Sequence, residues 1–333
     1  MKTIPPVLAT LPRQPLGFLP TPVIRLQNLE KLLKGPRILM KRDDQTGLGL
    51  GGNKTRKLEY LVGAAMQMHA DCLITAGAAQ SNHCRQTAAA AAHSGLECHL
   101  ALGGSPPHIF TGNLLLDNLF GAHFHWSGEQ RKGENIPAIE QLLREQGKNP
   151  YIIPYGGSNK IGAAGFAAAL FELERQLQVL GESVNHIIFA SSSGGTHSGM
   201  MVAKKILQAS YQLVGINIDK DEVYGMELSE YILQLAEQTS MHLGTPLSFG
   251  KKDVTLNEDY LGDGYGIIGE REREAIALTA RHEGILLDPV YTGRAMGGMI
   301  DMIRAGNFGT DETVLFWHTG GSPALFAYGD LLQ

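Results

Sequence analysis

The chain has 333 residues, 43% hydrophobic and 18% charged, with a formal net charge of −5. That composition excludes a disordered chain and is enough for two domains with sizeable cores. Without a dense Lys/Arg tract, neither a nucleic-acid groove nor a polybasic membrane anchor is expected, which leaves small-molecule work.

Cys72, Cys84 and Cys98 are odd in number, widely spaced and form no C-x-x-C pair, which argues against a disulfide framework or a zinc ribbon. Residues 1–14 lack the apolar stretch of an export signal, and no run of roughly 18 apolar residues occurs, so a cytoplasmic protein outside the membrane is expected.

In chain order, short apolar runs predict strands over 37–41, 72–75, 98–102, 151–153, 186–190, 213–216 and 314–317. Between them, longer patterns predict helices over 53–68, 81–93, 160–179, 196–207, 270–283 and 292–305, several opened by Ser, Thr or Asn. Repeated β-then-α order implies an α/β fold with mostly parallel sheets covered by helices. Residues 47–52 and 156–165 are the two places where a smaller inserted domain would join a larger one.

Five loops at strand ends or helix starts, where open α/β sheets bind ligands, carry the chemistry. Gly47-x-Gly49-x-x-Gly52 formally matches a dinucleotide fingerprint, but Lys41–Asp44 intervenes after the strand and the next strand ends in Ala76-Gly-Ala rather than an acidic residue. Just past this turn, Lys54 sits at a helix start, where a cation is disfavoured and a neutral, nucleophilic amine gains. Gln80-Ser81-Asn82-His83 concentrates side-chain donors at another helix start, suited to a carboxylate; N-capping alone would account for Ser81 but not its neighbours. In Ser191-Ser192-Ser193-Gly194-Gly195-Thr196, small residues let backbone N–H groups and hydroxyls converge on one phosphate, and the Gly-Lys-Ser/Thr ending of an ATP loop is missing. Asp288-Pro-Val-Tyr291-Thr292-Gly293 and His318-Thr319-Gly-Gly321 complete the set, each also readable as a turn with a cap. His123-x-His125 places two imidazoles on one strand face, but no acidic or cysteine partner lies near in sequence, and no metal is expected.

Together with Gly51-Gly-Asn-Lys54-Thr-Arg-Lys57, these motifs resemble, in order and over nearly the whole chain, the D-cysteine desulfhydrase and 1-aminocyclopropane-1-carboxylate (ACC) deaminase family. The resemblance implies pyridoxal 5'-phosphate as cofactor and the fold type II architecture: two open, twisted, mostly parallel sheets with helices on both faces. It implies a large cofactor domain of residues 1–52 and 163–333, a smaller domain of 53–162 inserted in it, the cofactor in the cleft between them, and a homodimer.

Carried over by motif, Lys54 resembles the Schiff-base lysine, which then takes the α-proton of a small amino-acid substrate. Asn82 matches the partner of the cofactor 3'-oxygen, Ser192, Ser193, Gly194, Gly195 and Thr196 the phosphate loop, Lys57 an added phosphate contact, and Thr319 the residue facing the pyridine nitrogen. Gln80, Ser81 and His83 face the substrate carboxylate, and Tyr265 and Tyr291 flank the substrate, with Tyr291 the acid or base near the leaving group.

One departure bears on the substrate. Recognised ACC deaminases carry a glutamate directly after the second tyrosine, where this chain has Thr292. A hydroxyl such as Thr319 cannot keep the pyridine nitrogen protonated as an acid would, and ring opening needs that help more than β-elimination does. The leading expectation is therefore β-elimination of D-cysteine to pyruvate, sulfide and ammonia, with ACC or L-cysteate, D-serine or 3-chloro-D-alanine as alternative substrates and a non-catalytic phospholigand-binding protein as a distant third.

Overall fold

A computed structural model describes residues 5–219 and 222–332. Its larger sheet has six strands: β1 (Val23–Arg25), β2 (Arg37–Arg42), β7 (His186–Ser191), β8 (Gln212–Asn217), β9 (Leu256–Asn257) and β10 (Thr313–His318), in the order β1-β2-β10-β7-β8-β9. Every pairing is parallel except that of β1 with β2. The central strands read as continuous apolar runs because both faces are covered. Leu39, Ile187, Phe189 and Leu315 pack toward α7 (Lys160–Leu180), α8 (Gly195–Leu207) and α9 (Leu228–His242). Ile38, Met40, Ile188 and Phe316 pack toward α2 (Gln27–Leu33), α10 (Glu270–Glu283) and α11 (Thr292–Arg304).

The smaller sheet is wholly parallel, in the order β5-β4-β3-β6: β3 (Cys72–Ala78), β4 (Glu97–Gly103), β5 (His123–Trp126) and β6 (Pro150–Ile152). One face packs on α3 (Lys54–Gln67), α4 (Asn82–Ser94) and α5 (Gly112–Leu119); Ala88, Ala90 and Ala91 let α4 approach closely. The other face carries α6 (Ile136–Glu145) through Ile136, Ile139 and Leu143. Cys72, Cys84 and Cys98 lie free and buried in these two layers, and burial pushes their thiols up, that of Cys72 to about 12.

Each predicted strand and helix has a counterpart. The structure adds β1, β5 and β9, too short or too polar to stand out by pattern, and α2, α5, α6 and α9. The short α1 (Pro6–Thr10) precedes them all. Ser81 caps α4 rather than entering it, accepting from the Cys84 N–H at 3.2 Å, and α8 begins one residue before Thr196. Among the described residues no helix is long and apolar enough to cross a membrane.

A buried ionic network fixes the start of α3. Arg56 makes a bidentate pair with Asp43 at 2.8 Å to each oxygen and reaches Glu172 on α7; Trp317 Nε1 donates to the same Asp43 carboxylate at 2.8 Å, and Lys41 donates to Glu172 at 2.5 Å. Although burial alone would raise it, the Asp43 carboxyl is held below the usual carboxylate range by Arg56. This network ties α3, which packs on the smaller sheet, to the larger sheet two residues from Lys54.

Candidate active site

A cleft lies at the carboxyl ends of the strands, lined by Lys54, Asn82, the 191–196 loop, Tyr155, Tyr291 and Thr319. At its floor, the Lys54 amine donates to the carbonyl of Gly156 at 3.3 Å, and burial lowers its pKa to about 8. Lys57, one turn along α3 and fully buried, donates to the same carbonyl at 3.0 Å and to Ser158 Oγ at 3.1 Å. Burial, then the adjacent Lys54, holds its pKa well below the lysine range. Among the described residues neither amine pairs with a carboxylate.

The start of α8 faces the same place. It opens at Gly194, φ +80°, which has no side chain to cap it; the Gly195 N–H donates instead to Ser158 Oγ at 3.1 Å, and the positive end of the helix dipole is turned to the cleft. Gly195 must lack a side chain, because a Cβ there would come within 2.8 Å of Lys57 Nζ and 2.7 Å of Ser158 Oγ. Ser158 Oγ in turn bonds Ser193 Oγ at 2.8 Å, and Asn53 Nδ2 donates to Thr196 Oγ1 at 3.3 Å, tying the starts of α3 and α8 together. Ser192 and Tyr155 both line the cleft. A helix start with its dipole turned to the cleft, two hydroxyls and a buried lysine form a cradle for one phosphate.

The glycine turn at 47–52 does something else. Arg85, buried on α4, donates to the carbonyls of Gly49 and of Gly51, the latter at 2.9 Å. The turn is thus anchored through its carbonyls, and the dinucleotide spacing has no phosphate to hold.

Asn82 is oriented by a residue that motif reading passes over. Asn113 on α5 donates through Nδ2 to Asn82 Oδ1 at 2.8 Å and to the Gln80 carbonyl at 2.9 Å. With Oδ1 taken, Asn82 presents Nδ2 toward Gly321, where a Cβ would come within 2.5 Å of it. Ser81 lines the cleft beside it. Gln80 is placed differently from the expectation: its side chain donates to the Thr111 carbonyl at 3.0 Å and accepts from the Asn113 N–H at 2.9 Å, spending both ends on α5. His83 is buried at the cleft, but Thr75 Oγ1 donates to the Ile153 carbonyl and so accepts from His83 Nε2–H at 2.8 Å. Burial and the two lysines keep the ring neutral, and Nδ1 is a bare, unpartnered acceptor. The one N–H of its ring is thus spent on Thr75.

On the opposite wall, Tyr265 Oη and Tyr291 Oη lie 2.6 Å apart, and burial holds both phenols well above 10. Arg131 stacks over Tyr265, 4.3 Å from its ring centre, pairs with Asp219 at 2.8 Å and reaches Tyr155 Oη at 3.5 Å. Thr292 is buried and turned from the cleft: it donates to Asp288 Oδ1 at 2.7 Å and accepts from the Asp288 N–H at 2.7 Å. Thr319 lines the cleft, held where its carbonyl accepts from the Asn53 N–H at 2.9 Å.

Asn113, Arg131, Tyr155, Ser158 and Asp219 escaped the sequence reading. The run Tyr155-Gly-Gly-Ser158 after β6 was a usable signal, a glycine-bearing loop at a strand end like the others; Asn113 and Arg131 give none.

Comparison with known proteins agrees with this geometry. Residues 15–320 match the family described as pyridoxal-phosphate dependent enzyme. The chain is 41% identical over 328 residues to a D-cysteine desulfhydrase of Klebsiella pneumoniae, covering 96% of this chain and 97% of the relative, and 40% identical over 327 residues to one of Yersinia enterocolitica, with the same coverage. A crystal structure of an ACC deaminase homologue superposes with a TM-score of 0.90 at 36% identity, over 100% of this chain and 98% of the other. A serine racemase of maize, 16% identical, shares the fold at a TM-score of 0.61 over 91% of this chain and 88% of the other. The phosphate cradle at α8 and the low-pKa lysine facing it fit the cofactor named in the family's description: the chain belongs to the D-cysteine desulfhydrase and ACC deaminase family of pyridoxal-phosphate dependent enzymes, on the fold type II scaffold.

Proposed function

We propose that the protein is a lyase that eliminates sulfide from D-cysteine, leaving pyruvate and ammonia after hydrolysis. The observation that carries the reaction type is Lys54, an amine with a pKa near 8 at the floor of the cleft. The substrate rests on the 40–41% identical relatives and on Thr292, whose hydroxyl is bonded to Asp288 where ring-opening relatives carry an acid.

Once bound, pyridoxal phosphate supplies an electron sink that stabilises negative charge at Cα of an attached amino acid. The chain's residues do the rest. The start of α8, Ser193, Thr196 and Lys57 would hold the phosphate, Asn82 Nδ2 the ring oxygen, and Thr319 would face the ring nitrogen. Ser81 and the first N–H groups of α4 bind the substrate carboxylate, fixing the face that Cα turns to Lys54. The Lys54 amine removes the α-proton; its lowered pKa raises the neutral fraction available to do so. Tyr291, protonated at neutral pH and bonded to Tyr265, donates to the departing sulfur.

Purified holoenzyme given D-cysteine should release sulfide and pyruvate in equal yield, and Lys54→Ala should lose both. A panel of D-cysteine, L-cysteine, L-cysteate, D-serine, 3-chloro-D-alanine and ACC, ranked by kcat/KM, tests the substrate. If ACC ranked first, the reading of Thr292 would be wrong.

A further inference from the structure

The smaller sheet carries a second cluster of reactive side chains, on the face that α6 only partly covers. Along β4, Cys98, Leu100 and Leu102 pack toward α3 and α4, so Glu97, His99 and Ala101 point the other way. The edge strand β5 pairs with β4 in parallel, His99 opposite His123 and Ala101 opposite His125. Phe124 and Trp126 face the α4 layer, and both β5 histidines therefore join His99 and Glu97 on one face. Adjacent in sequence to no acidic residue, His123 and His125 acquire one only through β4.

The four side chains are in contact. The His99 and His123 rings stack with centres 4.7 Å apart and planes 16° from parallel. His99 Nε2 is 3.4 Å from Glu97 Oε2, and His99 Nδ1 is 3.2 Å from His125 Nε2. One donor atom from each of Glu97, His99 and His123 lies within 4.8 Å of the others. His99 is buried, whereas Glu97 and His123 are exposed.

We propose that Glu97, His99 and His123 form a binding site for a borderline divalent transition-metal cation, Zn2+ foremost, separate from the catalytic cleft. Imidazole and carboxylate are the donors such ions take, and three protein ligands leave a fourth position for water. A ligating histidine usually passes its other N–H to a fixed acceptor, and His125 Nε2 stands where His99 Nδ1–H needs one. Metal–donor distances of about 2.0–2.2 Å require donors roughly 3.3 Å apart; Glu97 Oε2, 3.4 Å from His99 Nε2, already meets this, and exposed His123 must swing inward while buried His99 stays fixed. Lys148 holds the Glu97 carboxylate and would be displaced, acting as an intrinsic competitor. The ion would tie edge strand β5 to β4 and take no part in the reaction.

The test uses untagged, full-length holoenzyme freed of metal by chelation and titrated with Co2+ and Zn2+. One equivalent of Co2+ should bind and give visible ligand-field absorption that Zn2+ abolishes. His123→Ala and Glu97→Gln, both exposed positions, should each weaken binding at least tenfold with the cofactor spectrum and turnover unchanged, and His93→Ala, an exposed histidine elsewhere, should have no effect. Lys148→Gln should tighten binding severalfold by freeing Glu97. Absence of stoichiometric Co2+ binding, undiminished affinity in the His123 and Glu97 variants, or no tightening on Lys148→Gln would overturn the site.

Discussion

Lys54 and Lys57 share one acceptor, the Gly156 carbonyl, at 3.3 and 3.0 Å. Two amines on one oxygen in a buried floor resist both being protonated, and the arrangement makes sense as a seat for an anion. In the cofactor-free protein both amines have pKa values below those of the unfolded chain. The unfolded state then binds more protons, so stability should rise with pH toward the ordinary lysine value near 10.4, the Lys54 contribution entering from about 8. Denaturant titrations across that window measure it. The rate of cofactor capture, followed by visible absorbance, should also climb through about pH 8 as Lys54 loses its proton. Lys57→Gln should weaken cofactor retention by about 30-fold or more, since a buried partner of a phosphate is worth roughly 2–5 kcal/mol.

The tyrosine pair predicts an asymmetric response. Tyr291→Phe should lower kcat for D-cysteine by about 10²–10⁴, the usual worth of a positioned acid, with little change in KM. Tyr265→Phe removes only the partner 2.6 Å away and should cost about tenfold. Both phenols sit well above 10, so Tyr291 should keep the proton it donates until that range is reached, and the tyrosine pair should impose no loss of activity below it. Equal losses from the two variants would contradict the assignment of Tyr291 as donor.

Asn113 touches neither lysine nor the phosphate cradle, yet it sets the Asn82 amide. Asn113→Ala should free that amide to rotate, shifting the visible cofactor band and raising KM while leaving the protein folded. The cost to stability should be about 1–3 kcal/mol from the lost buried bonds, read by chemical denaturation. An unchanged spectrum would show that Asn82 is held by other means.

Thr292→Glu should not convert the protein into an efficient ACC deaminase. Asp288 already occupies the space beside Thr292, bonded to it at 2.7 Å and accepting from the backbone N–H groups of Val290, Tyr291 and Thr292. A second buried carboxylate there would repel the first, costing several kcal/mol or forcing one group to keep its proton. Thermal unfolding and an ACC turnover assay read both effects; a stable, ACC-active variant would refute the account.

Periodicity located the elements that feed the cleft because those strands are buried on both faces and their helices open on small polar residues. Lys54, Ser81, Thr196 and Thr319 were legible for that reason: each stands where a strand or loop hands over to a helix or turn. Gln80 and Thr292 share the same motifs, but their side chains turn to Asn113 and Asp288, partners that a linear reading does not supply. His83 was visible as a polar residue, while its proton position depends on Thr75 bonding the Ile153 carbonyl across the sheet. Arg131 reaches the site through Asp219 and Tyr265, 88 and 134 positions away in the chain, and nothing around it signals the contact.

The three sheltered cysteines give the proposed activity a form of self-protection. Sulfide oxidised by dissolved oxygen gives polysulfides, which modify accessible thiolates, and an enzyme that releases sulfide works beside their precursor. Here burial keeps Cys72, Cys84 and Cys98 both out of reach and protonated, so the folded chain offers no surface thiol to its product among the described residues. Tolerance of accumulating product would then come from how the helices pack on the smaller sheet.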